Sequence, residues 1–301
     1  MTFSIVARDD VTGELGVAVQ SCMFAVGPLV TWARPGVGAV ATQAIVEPAY
    51  GPRCLDQLTA GCEASEALAH AQSMDPATVL RQVGIVSADR SVAAMTGDLC
   101  IDHAGQVAGD DFVALANMAA TGDVWLAMAS AFVEATGPLA RRLLAGLAAG
   151  EAAGGDARGR MSAALLVVGG TVPAEPTVGT VVDLRVDRSD DPIGELNHLL
   201  DIADAYAAFQ NAVDQLGAGE PDVALNRLND ALRILPGDGN LRFARSGALL
   251  ALGSVEEARS ELRSLVAERP TWEVITRSFV AKGLISLPAD TSVEAFLYPT
   301  P

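Results

Sequence analysis

Short apolar runs separated by turn residues occupy the part of the chain before Arg188, and stretches with helical spacing interrupt them. The runs predict β-strands at Phe3–Arg8, Glu14–Ser21, Val37–Gln43, Val83–Val86, Ser91–Met95, Phe112–Ala116, Ser162–Val168 and Thr180–Val186. Apolar positions at helical spacing predict helices over Pro52–Ser73, Val124–Ala135 and Leu139–Leu147, followed by a glycine-rich loop at Gly150–Gly159. This order predicts an α+β fold in which helices cover antiparallel sheets, and it does not fit a Rossmann alternation.

A different pattern begins near residue 201, where the chain reads as helical throughout and contains an internal repeat. The segment GEPDVALNRLNDALRILP aligns without a gap with GSVEEARSELRSLVAERP, so that Gly219 corresponds to Gly253. A helix–turn–helix unit with a period of about 34 residues, with small residues where helices cross, resembles the tetratricopeptide repeat. We therefore predict two domains, residues 1–200 and 201–301, the second with two repeats and a closing helix near Thr271–Lys282.

Charge and cysteine content narrow the class of function. The chain has 37 acidic and 20 basic residues, a net charge of −17, which argues against binding to nucleic acid or to an anionic membrane. Four cysteines, Cys22, Cys54, Cys62 and Cys100, show no metal-binding spacing and predict free thiols in a reducing compartment. We expect a cytoplasmic protein without a metal or other cofactor, since the N-terminus lacks the features of a secretory signal.

The N-terminus itself offers a candidate for chemistry. Thr2 follows the initiator Met1, and its side chain is small enough for Met1 to be removed. A terminal threonine carries a hydroxyl nucleophile and a free α-amine that can act as its base. Side chains able to donate a hydrogen bond to a developing oxyanion lie in neighbouring segments, at Gln20, Ser21, Gln43 and Asn117. An ordinary strand start remains the alternative interpretation of Thr2.

Six separated blocks of the predicted first domain resemble one family. They are TFSIVARD with TGELGVAVQS, VGPLVTWARPGVGAVATQA, PAYGPR, RQVGIV, GGDARGRMSAALLVV and VDLRVDRSDDPIGEL. Together they are similar to the DUF1028 family. That resemblance implies the fold of N-terminal nucleophile (Ntn) hydrolases, a four-layer αββα sandwich. It also implies a nucleophile at the start of the first strand, where Thr2 stands, and a closed assembly, so we expect a homo-oligomer.

The resemblance to proteasome-like Ntn hydrolases is incomplete. Those relatives carry a lysine at the start of the third strand, whereas this sequence has Arg34 in the corresponding stretch. Arginine can supply positive charge there, but it stays protonated and cannot act as a base. Met161 also stands where the family pattern leads us to expect glutamine.

Two loops hold further candidates for substrate binding. Asp156, Arg158 and Arg160 lie close together in the sequence, as a clamp for a carboxylate or amide or as a structural Asp–Arg network. Glu47 and Tyr50 stand in a turn rich in proline and glycine, as a pocket wall or as loop anchors. Arg34 completes the candidate binding set.

The sequence thus supports two functions of different classes. The first is a hydrolase of a small amide or cyclic amide, in which Thr2 attacks after Met1 is removed; Ser21 is the alternative nucleophile. The second is a non-catalytic protein of the same fold that acts in binding and assembly. In that case the repeats recruit a protein partner or mediate self-association, although they could equally be a stabilising appendage.

Overall fold

The computed structural model describes residues 2–175 and 178–299. The chain divides after Leu199 into two compact units, and each is described by itself. No described helix combines the length and apolar character needed to cross a bilayer.

In the first unit, the described residues form ten strands in two antiparallel sheets. Their bounds are β1 Thr2–Arg8, β2 Leu15–Ser21, β3 Thr31–Arg34, β4 Gly38–Ala44, β5 Arg81–Ser87, β6 Val92–Thr96, β7 Gly105–Ala108, β8 Phe112–Asn117, β9 Ser162–Val168 and β10 Thr180–Val186. One sheet has the order β10-β9-β2-β1-β8-β7, and the other has the order β3-β4-β5-β6. Because β1 lies between β2 and β8, Thr2 starts a central strand rather than an edge strand.

An apolar layer joins the two sheets face to face. Val6 and Val17 of the six-stranded sheet belong to the same buried cluster as Ala39 and Val86 of the four-stranded sheet. Successive strand residues point to opposite faces, so the even-numbered residues of β1 face this layer. Polar residues at those positions therefore sit between the sheets.

Helices cover the outer face of each sheet. These helices are α2 Tyr50–Thr59, α3 Ala64–Ser73, α4 Val124–Glu134 and α5 Leu139–Ala152, whereas the short helix α1 Gly27–Val30 packs through Val30 into the layer between the sheets. Leu55 of α2 and Leu68 of α3 pack with Val83 of the four-stranded sheet. On the six-stranded sheet, a Cβ at Gly146 of α5 would lie 3.3 Å from Ile5.

The prediction of a mixed α/β first unit is confirmed, with differences in its elements. The helix predicted over Pro52–Ser73 is two helices, because the chain turns at Gly61 with φ +89°. The helix α5 runs beyond Gly150, which was expected to begin a loop. A Cβ at Gly150 would lie 2.7 Å from Met128, so glycine there permits close helix packing instead of a turn. Strands β3 and β7 were not predicted.

The second unit is all-helical, as predicted. Its helices are α6 Pro192–Gly217, which begins before the division, α7 Pro221–Ile234, α8 Gly239–Ala251, α9 Val255–Glu268, α10 Thr271–Ala281 and α11 Val293–Leu297. Gly219 and Gly253 adopt φ values of +80° and +78° in corresponding turns. Ala224 and Ala258, which occupy matching positions of the two repeats, are fully buried. The predicted repeat is therefore present in the structure.

Candidate active site

Thr2 lies at the first position of β1, between the sheets and among polar side chains. It pairs in register with Ser21 on β2 and with Asn117 on β8. Cross-strand partners share a face of the sheet, so all three side chains point toward the four-stranded sheet. The Thr2 hydroxyl Oγ1 lies 3.1 Å from Ser21 Oγ, and Thr2 is only 5% exposed.

Two side-chain amides bind the main-chain carbonyl of Thr2. Gln43 Nε2, from the four-stranded sheet, donates to the Thr2 oxygen at 3.1 Å. Asn117 Nδ2, from the six-stranded sheet, donates to the same oxygen at 3.2 Å. The position of Thr2 is therefore defined by donors from both sheets.

Gln82 connects these two amides, although no sequence pattern predicted it as a site residue. Its Oε1 accepts from Gln43 Nε2 at 2.7 Å and from Asn117 Nδ2 at 3.0 Å. Its Nε2 lies within 3.0 Å of three acceptors, which are Thr96 Oγ1, the Gly105 carbonyl and the Ala116 carbonyl. The sequence signal for Gln82 is a single amide side chain beside the apolar run VGIV. Such a residue is expected to be buried, and a buried polar group needs hydrogen-bond partners.

Ser4 is a second residue of the polar group around Thr2 that the sequence patterns did not predict. It lies two residues after Thr2 on the same face of β1, and its hydroxyl donates to Gln43 Oε1 at 2.8 Å. This bond leaves Gln43 Nε2 directed toward Thr2 and Gln82. Asn117 is oriented less completely, because its Oδ1 is buried and has no hydrogen-bond partner among the described residues.

The backbone is strained where two of these strands end. Ala44, directly after Gln43, has φ +74°, and Met118, directly after Asn117, has φ +49°. Residues with a side chain occupy this left-handed region at a cost of about 1–3 kcal/mol each, and such residues concentrate at functional sites. Both strained positions adjoin residues that contact Thr2.

The loop with Asp156 and Arg158 crosses the ends of strands β2 and β8. Asp156 Oδ2 accepts from the Cys22 main-chain nitrogen at 2.8 Å, and Asp156 also forms a bridge with Ala119. Arg158 is paired with Asp156 at 3.3 Å. Arg160 instead binds Glu151 at 3.1 Å. The Arg160 pair thus fastens the loop beside Thr2 to α5, whereas the Arg158 pair lies within the loop.

Three other predicted residues do not contact Thr2. Gln20 adjoins Ser21 on β2 and therefore points to the opposite face of the sheet, where both of its amide atoms are buried without a hydrogen-bond partner from the described residues. Arg34 pairs with Gly38, at the opposite end of β4 from Gln43, and binds Asp56 at 2.8 Å. Glu47 accepts from the Ala49 main-chain nitrogen at 3.1 Å and so closes its own turn.

Tyr50, the remaining predicted residue, is fully buried under the four-stranded sheet. Burial and the neighbouring Asp75 carboxylate raise the pKa of Tyr50 to about 12, so the phenol stays protonated. Asp75 in turn binds Arg81, next to Gln82, at 2.8 Å. Tyr50 therefore belongs to the support of the β5 strand rather than to the surroundings of Thr2.

Metal binding finds no support in the described part of the chain. No group of three or more His, Cys, Asp or Glu side chains there is arranged to hold an ion. The chemistry available beside Thr2 is that of hydroxyls and amides.

This architecture defines a class of protein in which a mixed α/β unit is followed by a helical-repeat region. The family of unknown function DUF1028 matches residues 2–196, and the tetratricopeptide repeat matches residues 215–275. The crystal structure of a DUF1028 protein from Silicibacter pomeroyi is similar to this chain, with a TM-score of 0.61 and 35% sequence identity. The match covers 67% of this chain and 88% of that chain. No curated protein matches. The chain belongs to the DUF1028 family.

Proposed function

We propose that this protein hydrolyses a small amide or cyclic amide, with Thr2 as an N-terminal nucleophile. The observation that carries the proposal is the position of Thr2: its hydroxyl lies beside Ser21, and donors from both sheets hold its carbonyl. Such preorganisation is what a nucleophile needs. Two facing sheets with helices outside each of them support the four-layer αββα sandwich of the Ntn hydrolases.

The proposed reaction begins once Met1 is removed. Thr2 Oγ1 attacks the amide carbonyl carbon, while the α-amine of Thr2 takes the hydroxyl proton and passes it to the departing nitrogen. An ester between the acyl group and Thr2 results; the amine of an open-chain amide leaves, whereas the amine of a cyclic amide stays attached to the acyl group. Water then attacks the ester carbonyl with the α-amine again as base, which releases the acid and restores the hydroxyl.

The side chains around Thr2 have different parts in this proposal. Ser21, 3.1 Å from the nucleophile, is close enough to hydrogen-bond the attacking oxygen. Gln43 and Asn117 act as positioning residues, because their amides are directed at the Thr2 carbonyl. Arg160 fastens the adjacent loop to α5 through Glu151, and Arg158 holds Asp156 within that loop. Gln20 and Arg34 have no part, since neither lies with Thr2.

Intact-mass spectrometry tests the proposal. We expect purified protein that lacks Met1 and gains the mass of a β-lactone probe on Thr2. Thr2→Ala should abolish the adduct and Thr2→Ser should retain it, while Thr12→Ala, in the turn at the opposite end of β1, is the matched control. An adduct that survives Thr2→Ala and is lost in Ser21→Ala would instead identify Ser21 as the nucleophile.

The second candidate is a non-catalytic binding or assembly protein. The match to a protein-interaction repeat over residues 215–275 favours it, as does the placement of Arg34 away from Thr2. Retention of Met1 together with no adduct would support this function and reject hydrolysis. Light scattering of the full chain would then show whether it associates with itself.

A further inference from the structure

The ends of the strands that contact Thr2 lead to exposed apolar side chains. Ser21, beside the Thr2 hydroxyl, is followed closely by Phe24, which is 65% exposed. Gln43, which binds the Thr2 carbonyl, is followed two residues later by Ile45, which is 50% exposed. Two separate strands thus place an apolar group at the same end of the sheets as Thr2.

The third contact of Thr2 leads to the same kind of surface. Asn117 is followed by Met118, whose main-chain nitrogen donates to the Ile101 carbonyl at 2.9 Å, and Ile101 is 55% exposed. Leu99, in the same loop, donates through its nitrogen to the Val79 carbonyl at 2.9 Å. Hydrogen bonds of the main chain therefore hold this loop against the ends of the strands.

We name this surface the apolar rim and define it by its largest side chains. They are Met23, Phe24, Ile45, Leu99 and Ile101. At the opposite end of the sheets, the large exposed apolar residues that the structure describes in the connecting loops are valines, namely Val11, Val172 and Val178. Single exposed apolar side chains are common, so the observation that points to a binding surface is that five of them lie at the end of the sheets that carries Thr2.

The charge of the protein favours some apolar ligands over others. The chain carries a net charge of −17, which repels an anionic ligand such as a fatty acid. The arginines of the loop beside Thr2 are already paired, Arg158 with Asp156 and Arg160 with Glu151. A neutral ligand with an apolar chain fits this setting better than one with a carboxylate.

We propose that the substrate is a neutral amide with an apolar acyl chain, which lies on the apolar rim while its carbonyl carbon reaches Thr2. This inference rests on the proposed hydrolase function and adds the class of substrate to it. Each methylene that leaves water strengthens binding by up to about fourfold. A partly open rim should give at least about twofold for each methylene.

Binding without turnover tests the substrate class. Full-length Thr2→Ala protein is titrated with butanamide, hexanamide and octanamide, and the dissociation constants are measured by NMR. Octanamide has four more methylenes than butanamide, so we expect it to bind at least about sixteenfold more tightly. The double variant Phe24→Ser/Ile101→Ser should remove this dependence on chain length, whereas Val11→Ser, an exposed apolar residue at the opposite end, should keep it.

Outcomes for the substrate class and for hydrolysis can be told apart. Equal affinity for the three amides, or a chain-length dependence that survives the rim variant, would overturn the inference. Labelling of wild-type Thr2 by β-propiolactone and by a hexyl β-lactone tests hydrolysis separately. If the rim variant instead turns a dimer into a monomer in light scattering, with no chain-length dependence, the apolar rim is a contact between copies of this chain and the inference is wrong.

Discussion

Gln43 and Asn117 donate hydrogen bonds to one and the same oxygen, the main-chain carbonyl of Thr2, although they belong to different sheets. Both amides also donate to Gln82 Oε1, so three amide side chains and the start of β1 form one buried group. Buried groups of this kind stabilise a single arrangement when their members are satisfied and cost free energy when one is lost. Removing one member of this group therefore tests whether the group positions Thr2.

Replacing Gln82 by leucine should disturb both the stability of the first unit and the position of Thr2. The variant leaves the amides of Gln43 and Asn117 without a shared acceptor, at a cost in unfolding free energy of about 2–3 kcal/mol. Urea unfolding measures this loss. Gln210→Leu is the matched control, because Gln210 is exposed on α6 and does not contact this buried group, and it should change stability by less than about 0.5 kcal/mol.

The same Gln82→Leu protein should react more slowly with the β-lactone probe at Thr2. Labelling is measured below the urea concentration at which unfolding begins, so that a loss of rate reflects the position of Thr2 rather than unfolding. A variant that loses stability but labels at the wild-type rate would show that Gln82 supports the fold and does not position the nucleophile.

The buried pair of Asp75 and Arg81 should make stability depend on pH. Hydrogen bonds from the Arg81 guanidinium hold the pKa of Asp75 below its usual value of 3.8. The pair therefore stabilises the folded state fully above the unfolded pKa, and this contribution is lost as the pH falls through the lower folded value.

Asp75→Asn tests this pair against an exposed one. It should cost about 3 kcal/mol at pH 7, because it leaves a buried guanidinium uncompensated, and the difference from wild type should shrink toward pH 3. Asp56→Asn is the control, since the Arg34–Asp56 pair is exposed and should contribute less than about 1 kcal/mol. A pH-independent difference between wild type and Asp75→Asn would contradict the assignment.

In the helical unit, two glycines that lie two residues apart should respond differently to alanine. A Cβ meets no described atom within 4 Å at either Gly219 or Gly217, so contacts play no part. Gly219 has φ +80°, and alanine there should cost about 1 kcal/mol. Gly217 ends α6, and alanine there should be neutral or stabilise by up to about 0.5 kcal/mol. Hydrogen exchange of α6 and α7 in the full chain measures both, and equal effects would reject the backbone explanation.

Among the acidic residues of α9, Glu261 should be the one whose substitution destabilises the helical unit most. It is buried and accepts hydrogen bonds from Arg242 at 3.4 Å and from Arg245 at 2.7 Å. Glu261→Gln removes the charge that both arginines share and should raise local exchange in α8 and α9 by the equivalent of about 2 kcal/mol. Glu257→Gln, on the exposed face of α9, should leave exchange unchanged.

Much of the fold could be predicted from local patterns. Strands such as Ser162–Val168 and Thr180–Val186 were predicted at their observed bounds, because alternation and turn residues act over a few positions. The repeat period likewise located the turns at Gly219 and Gly253. Strand β3 was missed because its four residues are too few to show a period, and it is recognised by its pairing with β4.

The sequence by itself determined the composition of the two units, the repeat, and the candidacy of Thr2, Ser21, Gln43 and Asn117. Only the tertiary structure decided which candidates meet. Gln20 and Ser21 are neighbours in the chain, yet they face opposite sides of a sheet, whereas Gln82, distant in the sequence, joins Thr2 through Gln43 of a second sheet. Side-chain direction along a strand follows from register, and register depends on which faces are buried, which is a property of the whole fold.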